Sequence, residues 1–302
     1  MTDNGNLLPA CASGHIPTDP DLLVIRWLGT ANIELSYQGQ IILVNAFIDR
    51  GPRHFPIGIL SEQIQQLDAI FIGHGHYDHI SDAAAVTMKT GASVFAPPFA
   101  REKILSQGVS RDQINLVTDG GIYSFNGFTV QAVLAQHCEF PSYIGKICDA
   151  YNEAIPPTVE VAALEETIML KGAWEPDIIT QGTFAYLFTF DSGFRVIIRD
   201  SAGPITNSER ALMERIKGTD IAMVAYQAQV FAQKQIPETL PLVKLYNPKT
   251  YIPIHHDALV PWALDMGVGS LFMAIRDELP ATKSLFPLYL EPIRFNILTN
   301  GI

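Results

Sequence analysis

Short apolar runs alternate with amphipathic stretches along most of this 302-residue chain, a pattern that predicts strands interleaved with helices. Leu67-Asp68-Ala69-Ile70-Phe71-Ile72 reads as a buried strand, and Gly73 lets the backbone turn out of it. "FTVQAVLAQHC" predicts a strand whose Thr129, Gln131, Val133, Ala135 and His137 share one face. In "FRVIIRDSAG", Phe194, Val196, Ile198 and Asp200 alternate onto one side before a small-residue turn. "TYIPIHHDA" is a third apolar strand, ending at His255 and His256. Three-to-four periodicity with caps or stops predicts helices in "DAAAVTMKTG", "LSEQIQQL", "AREKILSQG", "TNSERALMERIKG", "PETLPLVKLYNP" and "VGSLFMAIRDEL". Ser81 or Asp82 would cap the first of these and Gly91 end it. Ser208 or Asn207 would cap "TNSERALMERIKG", with Gly218 as its stop. Strand pairs followed by helix-and-strand units occur twice, which fits an α/β fold: a four-layer αββα sandwich of two sheets covered by outer helices.

At this length, with 48% hydrophobic and 17% charged residues, the chain can bury a layered core. We read residues 1–20 as an N-terminal extension and 21–302 as one domain, with an insert at about 139–181. The insert is the longest stretch that the core does not demand. Its Phe140, Tyr143, Tyr151, Met169, Leu170 and Trp174 would form an apolar lid or pocket wall over the site, or else belong to a helical packing insert or a dimer surface, so homo-oligomer formation stays open.

The net charge, 20 minus 31 or −11, repels phosphate backbones and counts against a nucleic-acid partner. Arg50, Arg53 and His54 in "IDRGPRH" form the one local basic cluster, either a solvated loop or a contact for an anionic substrate group at the rim of a site. Cys11, Cys138 and Cys148 are odd in number and irregular in spacing, so a reducing, cytoplasmic setting is expected, with Cys138 as a buried packing thiol. No stretch approaches a membrane span, and residues 1–20 lack the pattern of a signal peptide. "LPAC" at 8–11 matches a lipoprotein cleavage site but has no apolar segment before it.

"FIGHGHYDHI" at 71–80 carries the chemistry. It sets His74, His76, Asp78 and His79 directly behind a strand, and three of the chain's eight histidines lie here. Imidazole and carboxylate together suit borderline divalent ions such as zinc. Strand alternation and the following turn aim these four groups at neighbouring but distinct points, so two metal ions are expected. Further ligands should come from other strand ends, and His137, Asp200 and His255 or His256 are placed to supply them. Adjacent strand residues face opposite ways, so only one of the last two should reach a metal, and the "PIH" context favours His255.

An HxHxDH cluster, a lone His, a lone Asp and a late His form an order similar to that of the metallo-β-lactamase fold superfamily. The resemblance covers nearly the whole chain, including "VIRWLGTANIELSYQGQIILVNAF" as the first hairpins. "QGTFAYLFTF", "IIRDSAG" and "IPIHHD" most resemble the branch holding ascorbate-6-phosphate lactonase-like and N-acylphosphatidylethanolamine phospholipase D-like hydrolases. The resemblance implies His74, His76 and His137 on a first metal, Asp78, His79 and His255 on a second, and Asp200 bridging both. One departure is Asn45 in "ILVNAF", where the family usually carries Asp. An amide keeps the hydrogen-bonding shape and drops the charge.

The chemistry expected of such a site is hydrolysis by a hydroxide held between two cations, Zn²⁺ or in its place Mn²⁺ or Fe²⁺. Asp78 would pass a proton to the leaving group, and His256 or Tyr226 would steady the oxyanion. The substrate expected is a small molecule, a lactone or other ester first, with phosphodiesters and amides or β-lactams as alternatives. An iron-dependent oxidoreductase of the persulfide-oxidising kind, and a binding module that has lost catalysis, are the readings from other classes.

Overall fold

A computed structural model, which describes residues 8–139, 143–173, 182–227, 232–257 and 267–298, shows why the apolar runs are nearly continuous. The first sheet holds β1 (Leu22–Trp27), β2 (Ile33–Tyr37), β3 (Gln40–Val44), β4 (Ala69–Phe71), β5 (Ser93–Ala96) and β6 (Ile114–Leu116). The second holds β7 (Ile122–Phe125), β8 (Phe128–Ala135), β9 (Thr183–Phe190), β10 (Arg195–Arg199), β11 (Thr219–Ala225), β12 (Pro248–Ile254) and β13 (Lys283–Ser284), while β14 (Ile293–Asn296) returns to the edge of the first. The orders are β14-β1-β2-β3-β4-β5-β6 and β13-β12-β11-β10-β9-β8-β7. In each sheet antiparallel hairpins lead into parallel strands, from β3 to β6 and from β10 to β13.

The helices are α1 (Ala10–Ser13), α2 (Tyr77–Ile80), α3 (Ala83–Thr90), α4 (Pro98–Ser106), α5 (Tyr143–Ala154), α6 (Val159–Leu170), α7 (Asn207–Ile216), α8 (Ala232–Tyr246) and α9 (Gly269–Glu278). Parallel strands need crossovers, and α2 with α3, α4, α7, α8 and α9 lie on all of them but the one from β3 to β4. Period-two alternation then divides each strand between two cores. Ile42 and Val44 of β3, with Ala69 and Phe71 of β4, join the core between the sheets. Ile41, Leu43 and Ile70 join the one under α3 and α4. This is the four-layer αββα sandwich that the pattern predicts.

Local readings differ at three points. "LSEQIQQL" forms only a turn at Ser61–Gln63, because the N–H groups of Gln65 and Gln66 donate to the Cys11 carbonyl instead of closing a helix. The same segment holds α1 in place: Ala10 and Cys11 are buried, and their N–H groups donate to the buried Glu34 carboxylate at 2.9 and 2.8 Å. The cap of α7 is Thr206, which accepts from the Glu209 N–H while Glu209 accepts from the Thr206 N–H, and Lys217, in the left-handed region, ends the helix one residue before Gly218.

Of the insert, residues 143–173 are fastened to the loop that bears the histidines. Ala173 accepts from the Tyr77 N–H at 3.0 Å and donates to the Gly75 carbonyl at 3.1 Å, and Ile168 packs with Phe47 and Tyr77. Arg53 pairs with Glu165 and lies over Tyr151. Met169 and Leu170 face solvent, while Phe140 and Trp174 lie outside the described residues.

Asp82, at the start of α3, accepts from the Ile48 and Asp49 N–H groups at 2.6 and 2.8 Å and so ties down the loop after β3. Burial, and after it the nearby Asp49 carboxylate, pushes its carboxyl up to about 6. The folded state therefore holds this proton more tightly than the unfolded chain, and the associated stability, complete below about pH 4, is lost as pH rises through about 6. Asp82→Asn keeps an acceptor and removes the buried charge. It is expected to exceed wild type by up to about 3 kcal/mol in urea unfolding at about pH 8, with the gap closing near pH 4. A gap of equal size at both pH values would refute this account.

Candidate metal centre

Parallel strands bring their carboxyl ends to one edge, and that edge carries the polar cluster. β4 runs through Ile72 and Gly73 to His74, β8 through Gln136 to His137, β10 directly into Asp200, and β12 directly into His255. His76 caps α2 in an extended conformation, and the one turn of α2 carries Asp78 and His79 inward. The sequence reading places these two on a turn; they lie in a short helix. His255 adopts φ +62°, so the strand's alternation breaks there, and its N–H donates to the Thr30 carbonyl at 2.7 Å.

Three groupings of ligand atoms result, each gathered within 4.8 Å: His74, His76 and His137; Asp78, His79 and His255; and, joining them, His74, His79 and Asp200. His74 Nε2 lies 3.1 Å from His76 Nδ1. Asp200 Oδ2 lies 3.2 Å from His74 Nδ1 and 3.0 Å from His79 Nδ1, and Asp78 Oδ2 lies 3.3 Å from His79 Nε2 and 3.1 Å from His255 Nε2. All but His76 are buried. The seven residues singled out in the sequence thus meet at one place.

Charge explains the arrangement. Burial opposes ionisation of Asp78 and Asp200, yet His79 beside the first, and His74 and His79 beside the second, hold both carboxyls well below the ordinary range. Burial works against charge on His79 too, but the two carboxylates prevail and push it to about 10. Burial and the neighbouring His79 drive His74 down. The two acids thus demand positive charge between them, which cations would supply. Asp200 Oδ1 and both ring nitrogens of His79 are buried without a hydrogen-bond partner among the described residues, although the nitrogens lie within 3.3 Å of carboxylates. Donors that converge without aligning on one another fit cation ligands. His137 Nδ1 lies 2.7 Å from the Cys138 carbonyl, an acceptor only, so Nδ1 carries the proton and Nε2 is free to bind a metal.

Around the ligands, Asn45 donates to Asp200 Oδ2 and to the Ala31 carbonyl, each at 3.1 Å, and accepts from the Gly73 N–H at 2.9 Å. A carboxylate there would face Asp200 as a like charge; the amide donates instead. Cys138 is the packing thiol expected, accepting from Gln227 Nε2 at 2.8 Å. His256 belongs to none of the three groupings: its ring stacks on Trp27 at 4.4 Å and tilts against Phe286 at 4.9 Å, and burial pushes it down to about 4. Tyr226 is buried, its hydroxyl without a partner among the described residues.

Arg50 fits neither reading of its loop. It is buried in an ion pair with Asp257 at 2.7 Å, and Asp257 also accepts from the Thr30 N–H and the Tyr289 hydroxyl. This pair fastens the segment after His255 to the loop after β3, and the Thr30 contact fastens it to the turn of the first hairpin. His54, half-buried, contacts the Gly51 carbonyl. Sequence reasoning also missed Arg199, whose one signal was a charged residue within the apolar run "RVIIRD".

Comparison with known proteins agrees with this picture. A family model described as a beta-lactamase superfamily domain matches residues 40–143, the span holding the His74–His79 cluster and His137. A UPF0173 metal-dependent hydrolase of Roseiflexus sp. (strain RS-1) is 31% identical over 114 residues, 37% of this chain and 47% of the relative. The chain thus spans about half the length of the curated relatives it matches. Among solved structures, Igni18, a metallo hydrolase from Ignicoccus hospitalis, matches 91% of this chain and 98% of its own at TM-score 0.63 and 16% identity. An isothiocyanate hydrolase from Delia radicum gut bacteria matches 91% and 99% at TM-score 0.60 and 17% identity. At such identities the likeness is one of fold. Among the described residues, no helix is long and apolar enough to cross a membrane.

Gly73 tests the geometry, because a Cβ there would stand 1.8 Å from Asp200 Oδ2. Gly73→Ala is expected to push Asp200 aside and weaken zinc binding by about tenfold to a hundredfold in equilibrium dialysis, with far-UV circular dichroism retained. Wild-type affinity in this variant would mean that Asp200 is not a ligand.

Proposed function

We propose that this chain, which has the metallo-β-lactamase fold and matches a beta-lactamase superfamily domain over residues 40–143, is a metal-dependent hydrolase of a small molecule, a lactone or other ester. The observation that carries this reading is the joining of two ligand groupings through His74, His79 and Asp200. His74, His76 and His137 would hold one cation and Asp78, His79 and His255 the other, with Asp200 shared. A donor set of five imidazoles and two carboxylates suits zinc, with manganese or ferrous iron as alternatives. When bound, two such cations supply Lewis acidity and lower the pKa of a water molecule toward about 7.

The chain's own residues orient and seclude that chemistry. The Cys138 carbonyl sets the tautomer of His137, and Asn45 engages Asp200 Oδ2 so that Oδ1 stays available. Six of the seven ligand side chains are shut away from bulk water, and His76, the half-buried one, marks the side that substrate approaches. Asp78 is held ionised in these surroundings, which suits it to hold a cation, and it is also the residue assigned to pass a proton to the leaving group. His256 is assigned to the aromatic wall behind His255. A net charge of −11 favours uncharged substrates over polyphosphates.

Elemental analysis of the purified protein, followed by a turnover screen on lactones, phosphodiesters, β-lactams, acyl amides and isothiocyanates, tests the reading. Zinc or manganese with turnover of an ester is expected, and Asp200→Ala should lower that turnover by on the order of a thousandfold with the fold retained. Iron with no hydrolysis of any of these substrates would overturn it in favour of redox chemistry, and full activity in Asp200→Ala would refute the role of the shared carboxylate.

A further inference from the structure

We propose that Arg199 is the positioning residue that sets the spacing between His137 and Asp200, and so joins the all-histidine grouping to the carboxylate it shares with the other. The proposal rests on the two-cation reading. In the sheet order β9 lies between β8 and β10, and it begins, at Thr183, beside the end of β8. Beyond that point no ladder ties residues 136–138 to residues 200–204, although each segment carries a ligand.

Arg199 bridges this gap. It is fully buried at the end of β10. Its Nη1 donates to the Ser201 carbonyl, and its Nη2 is within reach of the carbonyls of Gln136 at 3.2 Å, Gly203 at 3.1 Å and Pro204 at 3.1 Å. One planar group therefore gathers carbonyls from the residue before His137 and from the loop after Asp200. Only a guanidinium offers five donors in a fixed plane. Its Nε pairs with Glu209 at 2.6 Å, and Glu209 is held in turn by the Tyr246 hydroxyl and the capping box of α7. The charge is thus neutralised from the outer helices, and the remaining donors serve the ligand-bearing loops.

Two further contacts draw the loops together. The Cys138 N–H donates to Ser201 Oγ at 3.0 Å, and Gly203 lies so flat against the other loop that a Cβ would meet the Gln136 carbonyl at 2.1 Å. A residue needed only to neutralise Glu209 would have no use for carbonyls on two different loops.

The test compares wild type, Arg199→Lys, Ser201→Ala and Tyr246→Phe, each stripped of metal and titrated with zinc against a chromogenic chelator, with thermal midpoints of the metal-free proteins recorded alongside. Arg199→Lys keeps the charge for Glu209 and loses the fork. It is expected to fold and to bind zinc about tenfold to a hundredfold more weakly. Ser201→Ala should show a smaller loss in the same direction. Tyr246→Phe, which loosens the Glu209 end of the network but leaves the contacts of Arg199 with the loop carbonyls in place, should lower the thermal midpoint and leave zinc affinity close to that of wild type. Wild-type affinity in folded Arg199→Lys overturns the proposal, as does an affinity loss in Tyr246→Phe matching that of Arg199→Lys. Should Arg199→Lys fail to fold, Ser201→Ala decides: weaker binding supports the proposal, and wild-type affinity overturns it. If wild type itself binds no divalent cation, the two-cation reading falls first and takes this role with it.

Discussion

Two carboxylates buried within one cluster of imidazoles set the terms for this molecule. Asp78 and Asp200 are removed from bulk water yet held ionised, and a low-dielectric interior tolerates that only where positive charge stands beside them. In the protein alone His79 provides it, placed between the two acids. The same placement makes the cluster a receptor for cations, since their charge would take over the role of the imidazolium and free His79 as a ligand. The need for charge and the capacity for metal chemistry have one origin.

Holding that cluster requires backbone that ordinary strands do not provide. Thr30, Asn45 and His255, none of them glycine, all take up left-handed conformations, and each touches the site or a ligand's backbone. Such conformations persist where the surroundings over-determine them. Here the surroundings are buried polar networks: Arg50 with Asp257, Thr30 and Tyr289 under the last ligand, Asp82 under the loop after β3, and Arg199 with Glu209 between the loops of His137 and Asp200. Arg50 and Arg199 are each paired with a buried carboxylate, and the Arg199 fork is engaged by carbonyls on both loops, the condition under which such networks rigidify a core instead of weakening it. The insert adds a strap, with Ala173 locked to Gly75 and Tyr77, so the histidine loop is held from outside as well.

Much of this was legible in one dimension. Period-two runs marked the strands, capped periodic stretches marked most of the helices, and the spacing of His74, His76, Asp78 and His79 marked the centre. What misled was local reasoning about segments whose partners are distant. "LSEQIQQL" has helical periodicity, but the Cys11 carbonyl, more than fifty residues earlier, captures its N–H groups. Arg50 sits in a Gly/Pro-rich loop that reads as solvated or substrate-facing, and its partner is Asp257, far along the chain. His256 reads as a donor to the oxyanion; in the structure its ring stacks on Trp27 and tilts against Phe286 behind the left-handed turn at His255.

The amino-acid sequence by itself determined the alternation of buried and polar positions, hence the two sheets and their helices, and the identity of the seven candidate ligand side chains. Those properties are local, written in residue type and spacing. Tertiary structure alone decided which ligands share a grouping, which oxygen of Asp200 stays open, how the acids keep their charge, and that Arg199 spans the gap above β9. These depend on distances of a few ångströms between segments far apart in the chain, and strand order and packing, not spacing along the sequence, set those distances.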